Sequence, residues 1–248
     1  MRGAARDAPR AGRPRAYRSF AVARLARGKD SATDPAGPLE LSTESRGQPE
    51  TVEHPWNAAL LDLVMWSLRP LRAKVVPRAT GRVLEIGVGT GMNFSYYGAI
   101  DSAHGIEPDP HMLRRARARA ERLGFPIELV QTGAESLPYG DAAFDTVVVT
   151  WVLCTIPNPR VALKEIARVL RPEGRMLFVE HVRSRFSVAG KLQDAITPLW
   201  KKLAGGCHLN RDSLEMIRAA GFEEVELRPC GREGWTLLPI YRGVATRA

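Results

Sequence analysis

Val83-Leu84-Glu85-Ile86-Gly87-Val88-Gly89-Thr90-Gly91 decides how this chain folds. Val83, Leu84 and Ile86 are apolar β-formers, as a strand buried on both faces requires. The run ends in glycines at alternate positions, Gly87, Gly89 and Gly91. Glycine takes positive φ and lets a ligand lie against bare backbone. A helix is expected over 91–97, its free N–H groups aimed back at that ligand. A second strand-like stretch, Ala103-His104-Gly105-Ile106, ends in Glu107, sixteen residues past Gly91. A carboxylate there accepts both hydroxyls of a ribose. Strand, glycine turn and downstream acid describe a pocket for an adenosine-containing cofactor.

Charge selects the cofactor. The dinucleotide fingerprint is G-x-G-x-x-G with a pyrophosphate on the helix N-terminus. This chain has G-x-G-x-G, and Glu85 stands two residues before the first glycine. A carboxylate repels pyrophosphate but attracts the ammonium of a methionine moiety, whose carboxylate the helix N-terminus would face. S-adenosylmethionine is therefore favoured over NAD, and an NAD-dependent oxidoreductase is the disfavoured reading from another class. The cofactor-side set comprises Glu85, Gly87, Gly89, Gly91, Asn93, Glu107, Pro108, Ala134, Glu135 and Thr150.

Over residues 54–246 the chain resembles the class I S-adenosylmethionine-dependent methyltransferases. Residues 83–91 look like that family's first motif, and Glu107 looks like its ribose-binding acid. Gly133-Ala134-Glu135-Ser136-Leu137-Pro138 looks like the loop that sets an Ala backbone and a Glu side chain at the adenine. Phe144-Asp145-Thr146-Val147-Val148-Val149-Thr150 looks like the fourth strand. Arg168-Val169-Leu170-Arg171-Pro172-Glu173-Gly174 looks like the turn before the fifth, where the family often has Pro-Gly-Gly. Leu153-Cys154-Thr155-Ile156, Glu180-His181-Val182 and Gly205-Gly206-Cys207-His208-Leu209 are similar to a narrower group that includes thiol S-methyltransferases. The resemblance implies methyl transfer. The thiol-methylating members carry a membrane anchor; no comparable apolar span exists here, so that feature is not carried over.

The bulk properties agree. The 248 residues suffice for one α/β domain plus an extension. The net charge is +9, but residues 1–30 hold nine Arg/Lys and two Asp, which leaves +2 for the other 218 residues. A near-neutral body argues against a nucleic-acid partner. Cys154, Cys207 and Cys230 lie far apart, without C-x-x-C spacing, so neither a disulfide framework nor a bound metal is expected. No apolar run approaches the ~18 residues that span a bilayer. A cytoplasmic protein is expected, with organelle targeting by the Arg-rich start as the alternative.

The expected organisation is a disordered basic extension over 1–53 and a methyltransferase domain over 54–248. The fold class is α/β: a doubly wound, mostly parallel, seven-stranded Rossmann-like sheet with helices on both faces. Strands are expected near 82–86, 103–107, 127–131, 144–150, 174–181, 223–228 and 238–246. Helices are expected near 56–68, 91–97, 109–123, 159–170, 190–203 and 211–220, the last capped by Asn210 and ended by Gly221.

Ligands of open α/β sheets bind at the carboxyl ends of the strands. With the cofactor accounted for, Thr150, Trp151 and His181 should face the methyl group and its acceptor. A sulfonium is already activated, so the enzyme mainly aligns donor and nucleophile and excludes water. A thiol near pKa ~8.5 needs little help to react. No Asn/Asp-Pro-Pro-Tyr signature of amide methylation occurs; the apolar Trp151-Val152-Leu153-Cys154 stands in its place and suits a small, greasy acceptor. His181 is the candidate base or orienting group and His208 the second catalytic candidate. A thiol leads the acceptors. A quinone-like ring, a phospholipid headgroup, or a cofactor-binding protein without catalysis are the alternatives.

Overall fold

The computed structural model describes residues 68–230 and 238–247. The expected helix over 56–68, the basic extension and the boundary near residue 54 lie outside the described residues, apart from Leu68.

Seven strands form one sheet: β1 (Arg82–Ile86), β2 (Ser102–Ile106), β3 (Ile127–Val130), β4 (Phe144–Thr150), β5 (Leu170–His181), β6 (Phe222–Pro229) and β7 (Ile240–Arg247). Their order is β3-β2-β1-β4-β5-β7-β6. Every pairing from β3 through β5 is parallel, and β7 runs antiparallel to both β5 and β6. The connection from β6 to β7 spans only residues 230–239, shorter than the dozen or so that a parallel crossover needs.

The central strands alternate cleanly, as the pleat dictates. Leu84, Ile86, Val147, Val149, Met176 and Phe178 pack on one face with α3 (Pro159–Val169) and α5 (Ser213–Ala219). Val83, Val148, Leu177 and Val179 pack on the other with the end of α1 (Arg69–Val75). On that second side α2 (Pro110–Leu123) sets Ala116 and Ala120 against Val88 and Phe94. Asp109 caps α2 by accepting the His111 and Met112 N–H groups, and Gly124 ends it in the left-handed conformation. Of the remaining helices, α4 (Ser187–Leu203) crosses between β5 and α5 in sequence. No helix among the described residues is long and apolar enough to cross a membrane.

Two local expectations fail. Residues 91–97 form turns and a single 3-10 turn, Phe94–Tyr96, instead of a helix. Their side chains are committed elsewhere: Phe94 and Tyr97 both stack on Phe125, and Asn93 is buried in the site. Asn, Phe and Tyr have weak helix propensity, so tertiary contacts win. At α5 the cap is Asp212, whose Oδ1 accepts the Glu215 N–H, while Asn210 donates to Asp194. Gly221 does end that helix at φ +82°.

Candidate active site

Glu85, next to last in β1, is 2% exposed. Its Oε1 accepts from Asn93 Nδ2 at 3.0 Å and its Oε2 from the Tyr97 hydroxyl at 2.7 Å. Asn93 is fixed further by Thr150, whose Oγ1 accepts from Nδ2 at 3.0 Å, and by Arg72, which donates to Oδ1 at 2.7 Å. The Arg72 guanidinium lies 4.6 Å from the centre of the Trp151 ring. Burial pushes the Glu85 carboxyl up to about 7, although the bonds from Tyr97 and Asn93 and the Arg72 charge oppose the rise. Burial, then the charge of Glu85, pushes the Tyr97 hydroxyl up as well.

Glu107 stands just past the end of β2 and is 7% exposed. Its Oε2 accepts the Gly89 N–H at 2.8 Å and its Oε1 the Asp109 N–H at 3.0 Å. Burial pushes this carboxyl to about 7 too, against those two backbone bonds. Glu85, the glycine turn and Glu107 therefore converge at the carboxyl ends of β1 and β2.

Gly87, Gly89 and Gly91 have φ of +63°, +55° and +78°, the left-handed region that favours glycine. Their surroundings differ. A Cβ on Gly87 would collide with Val152 Cγ2, and one on Gly91 with the Phe94 ring. Among the described residues, a Cβ on Gly89 would meet nothing nearer than Met112 Sδ, at 3.8 Å. Among the described residues the middle glycine has room beside it, whereas the outer two are packed.

The other residues expected on the cofactor side lie in the loops after β2 and β3. The Pro108 carbonyl accepts from Gln131 Nε2 at 3.4 Å, which ties the loop after β2 to the end of β3. Ala134 is buried, and Glu135 Oε1 accepts the Asn158 N–H at 3.1 Å, which joins the loop after β3 to the entry of α3.

The chain turns sharply after β4. Trp151 has φ +54°, strained for a bulky residue, and its N–H donates to Val179 at 2.8 Å. The next two N–H groups, Val152 and Leu153, both donate to Glu180 Oε1, at 2.8 and 3.1 Å. Arg211 holds the Leu153 and Ile156 carbonyls. Glu180 is fully buried and burial pushes it to about 7. This turn brings Val152 to the glycine loop and Cys154 to the end of β5.

His181 is 4% exposed, with Nε2 3.3 Å from Cys207 Sγ. Burial alone would lower its pKa, but the bond and charge of Cys207 push it up. The Cys207 thiol is held well below its ordinary range by the Cys154 hydrogen bond, assisted by His181. His208 stands beside the pair, with Nδ1 3.1 Å from the Cys154 carbonyl oxygen. The two histidines thus share one corner, linked through the cysteines. The cysteine spacing carries no metal or disulfide signature, yet the fold gathers two of the three thiols.

Arg72 escapes a reading by motif, and so do the contacts that Tyr97, Glu180 and the Cys154–Cys207 pair make, although the stretches around Glu180, Cys154 and Cys207 resemble the narrower group. Arg72 had a signal: Pro70 suits a first helical turn, and Leu71 and Val75 stand four apart on one face. The other contacts carry none, because they depend on which strand ends become neighbours.

A family described as a methyltransferase domain matches residues 84–178. Thiol S-methyltransferase TMT1B of Rattus norvegicus is 36% identical over 149 residues, 58% of this chain and 61% of that protein. The chain spans less than two thirds of the length of these thiol-methylating relatives. A demethylmenaquinone methyltransferase of Clavibacter sepedonicus is 30% identical over 187 residues, 66% of this chain and 74% of that protein. Among solved structures, a SAM-dependent methyltransferase of Thermotoga maritima, described as a possible histamine N-methyltransferase, shares the fold. Its TM-score is 0.54 at 22% identity, with 77% of this chain and 99% of that one covered.

Proposed function

We propose that this chain, which belongs to the class I S-adenosylmethionine-dependent methyltransferases, transfers the sulfonium methyl to a small, largely apolar acceptor, with a thiol first in line. One observation carries the reading. Two buried carboxyls flank a bare-backbone turn, with Glu107 bonded to the Gly89 N–H at 2.8 Å. Adenosyl sulfonium offers the matching groups: ribose hydroxyls for Glu107 and an ammonium for Glu85.

The remaining cofactor contacts follow from charge. Residues 91–97 supply no helix N-terminus for the methionine carboxylate, and the buried Arg72 guanidinium, beside Asn93 and Thr150, takes that role. Gly87 and Gly91 shape the turn, Pro108 positions Glu107, and Ala134 and Glu135 serve the adenine. Bound cofactor supplies the activated methyl group. The protein's part is to orient the acceptor and keep out water. Trp151, Val152 and Leu153 form the apolar wall, while His181, supported by His208, orients the acceptor sulfur or accepts its proton. Free thiols at Cys154, Cys207 and Cys230 fit the cytoplasm. The near-neutral body beyond residue 30 speaks against nucleic acid.

Replacing Glu107 by Ala removes one or two hydrogen bonds to a charged group, each worth ~1.5–3 kcal/mol. Calorimetry should show cofactor affinity weakened by about 10–100-fold. Unchanged affinity would place the ribose elsewhere.

The acceptor is tested by incubating the protein with methyl-labelled cofactor and a panel of alkyl thiols, phenols and quinols. Turnover of thiols is expected. Turnover of quinols alone would transfer the assignment to a quinone-like ring, a reading favoured by the longer share of the Clavibacter protein that aligns. Binding of cofactor without transfer to any acceptor would remove the catalytic reading.

A further inference from the structure

Cys154, His181 and Cys207 arrive from the turn after β4, the last residue of β5 and the loop following α4. One ring nitrogen and the two sulfurs all lie within 4.8 Å of one another. We infer that these three side chains form a binding site for a soft divalent cation of the zinc class.

The distances fit the ion. Zinc bonds of ~2.3 Å to sulfur and ~2.0–2.1 Å to nitrogen, set tetrahedrally, separate ligand atoms by about 3.5–3.8 Å. The His181–Cys207 separation is 3.3 Å, so small side-chain shifts bring all three atoms onto one centre. Two sulfurs and an imidazole are the donor set that selects zinc over magnesium or calcium. Cys154 is 2% exposed and His181 4%, whereas Cys207 is only half-buried and leaves a way in.

The three ligands are held by separate means. Both the His208 N–H and Nδ1 meet the Cys154 carbonyl, at 2.9 and 3.1 Å. His181 is paired to Ile240 in the sheet, and its carbonyl accepts from Ser213 Oγ at 3.2 Å. The Cys207 N–H donates to Ala204 at 3.1 Å. A site so supported does not need to be assembled by the ion. Charge agrees as well. Two thiolates and a dication sum to zero, and Glu180 and Arg211 act on Cys154 with opposite sign. Three protein ligands leave one coordination position open, for water or an exogenous thiolate. Capture of an acceptor thiol there, with the ion instead of His181 orienting the sulfur and lowering its pKa, rests on the thiol reading above; the metal site does not.

The test uses the full chain and neither donor nor acceptor, so its failure is separate from a failure of methyl transfer. Metal-stripped protein is titrated with cobalt(II) and, in parallel, with zinc(II). A thiolate-to-cobalt charge-transfer band saturating at one equivalent is expected, and zinc should displace it. Peptide mass spectrometry after alkylation should show zinc shielding Cys154 and Cys207 while Cys230 stays reactive. The Cys154→Ser/Cys207→Ser double variant should lose the band. Absence of the band in the native chain, or alkylation of Cys207 that zinc leaves unchanged, overturns the site. So does a band that survives in the double variant.

Discussion

Gly89→Val should abolish cofactor binding while the protein still folds. Calorimetry should detect no binding even at about 100 times the wild-type Kd, a loss of ~2.8 kcal/mol or more. The cause is occupation of space. Among the described residues, its chain neighbours aside, nothing comes closer to a Cβ built on Gly89 than Met112 Sδ at 3.8 Å, so the valine methyls project into the hollow a ligand would fill. The apo fold is charged only for a β-branched residue at φ +55°, about 1–3 kcal/mol. Gly87→Ala is the control with the opposite balance. Its φ is +63° and its new methyl collides with Val152. Strain and overpacking, ~1–3 kcal/mol each, then act together on stability. Thermal unfolding and calorimetry on both variants separate the two roles. If Gly89→Val binds cofactor normally, the turn is not the binding site and the functional reading loses its foundation.

That difference between two glycines of one motif marks what the sequence can reveal. Apolar runs bounded by turn residues locate strands well: β1 and β4 fall on 82–86 and 144–150 as expected, and β2 and β3 within a residue. The convergence of Glu85, Gly89 and Glu107 is legible for the same reason, since each stands at a fixed offset from a strand end. What was not legible depends on long-range partners. A helix over 91–97 is reasonable on pattern, but Asn93, Phe94 and Tyr97 gain more from Glu85, Thr150 and Phe125 than a short helix returns. Cys154 and Cys207 stand 53 residues apart. They meet only because β4 and β5 are neighbours and α4 returns the chain to their ends.

Glu85→Gln should move affinity and stability in opposite directions. In the native protein the Glu85 carboxyl titrates near 7 rather than at its ordinary 4.5, because burial disfavours its charge. A raised folded-state value costs no stability below pH 4.5, costs progressively more above it, and reaches its full penalty beyond pH 7. That penalty is about 3 kcal/mol. Glutamine removes it and keeps an acceptor for the Tyr97 hydroxyl, but sets its own amide against the Asn93 donor at about 1 kcal/mol. The cofactor-free variant should therefore unfold ~4–8 °C higher at pH 8 and show no such gain at pH 5. Affinity should fall about 100-fold at pH 8, as expected when one partner of a buried ion pair is neutralised. In the native protein, affinity should rise from pH 6 to pH 8, because both Glu85 and Glu107 lose their protons near 7 and the ligand's ammonium and hydroxyls favour the ionised forms. The variant should keep only the weaker pH response of Glu107. Equal affinity with an unaltered pH profile would show that no cation of the ligand faces Glu85. A buried carboxyl that costs stability at working pH is what a site holds when Arg72, Tyr97 and Asn93 offset its burial only in part and a bound cation supplies the rest.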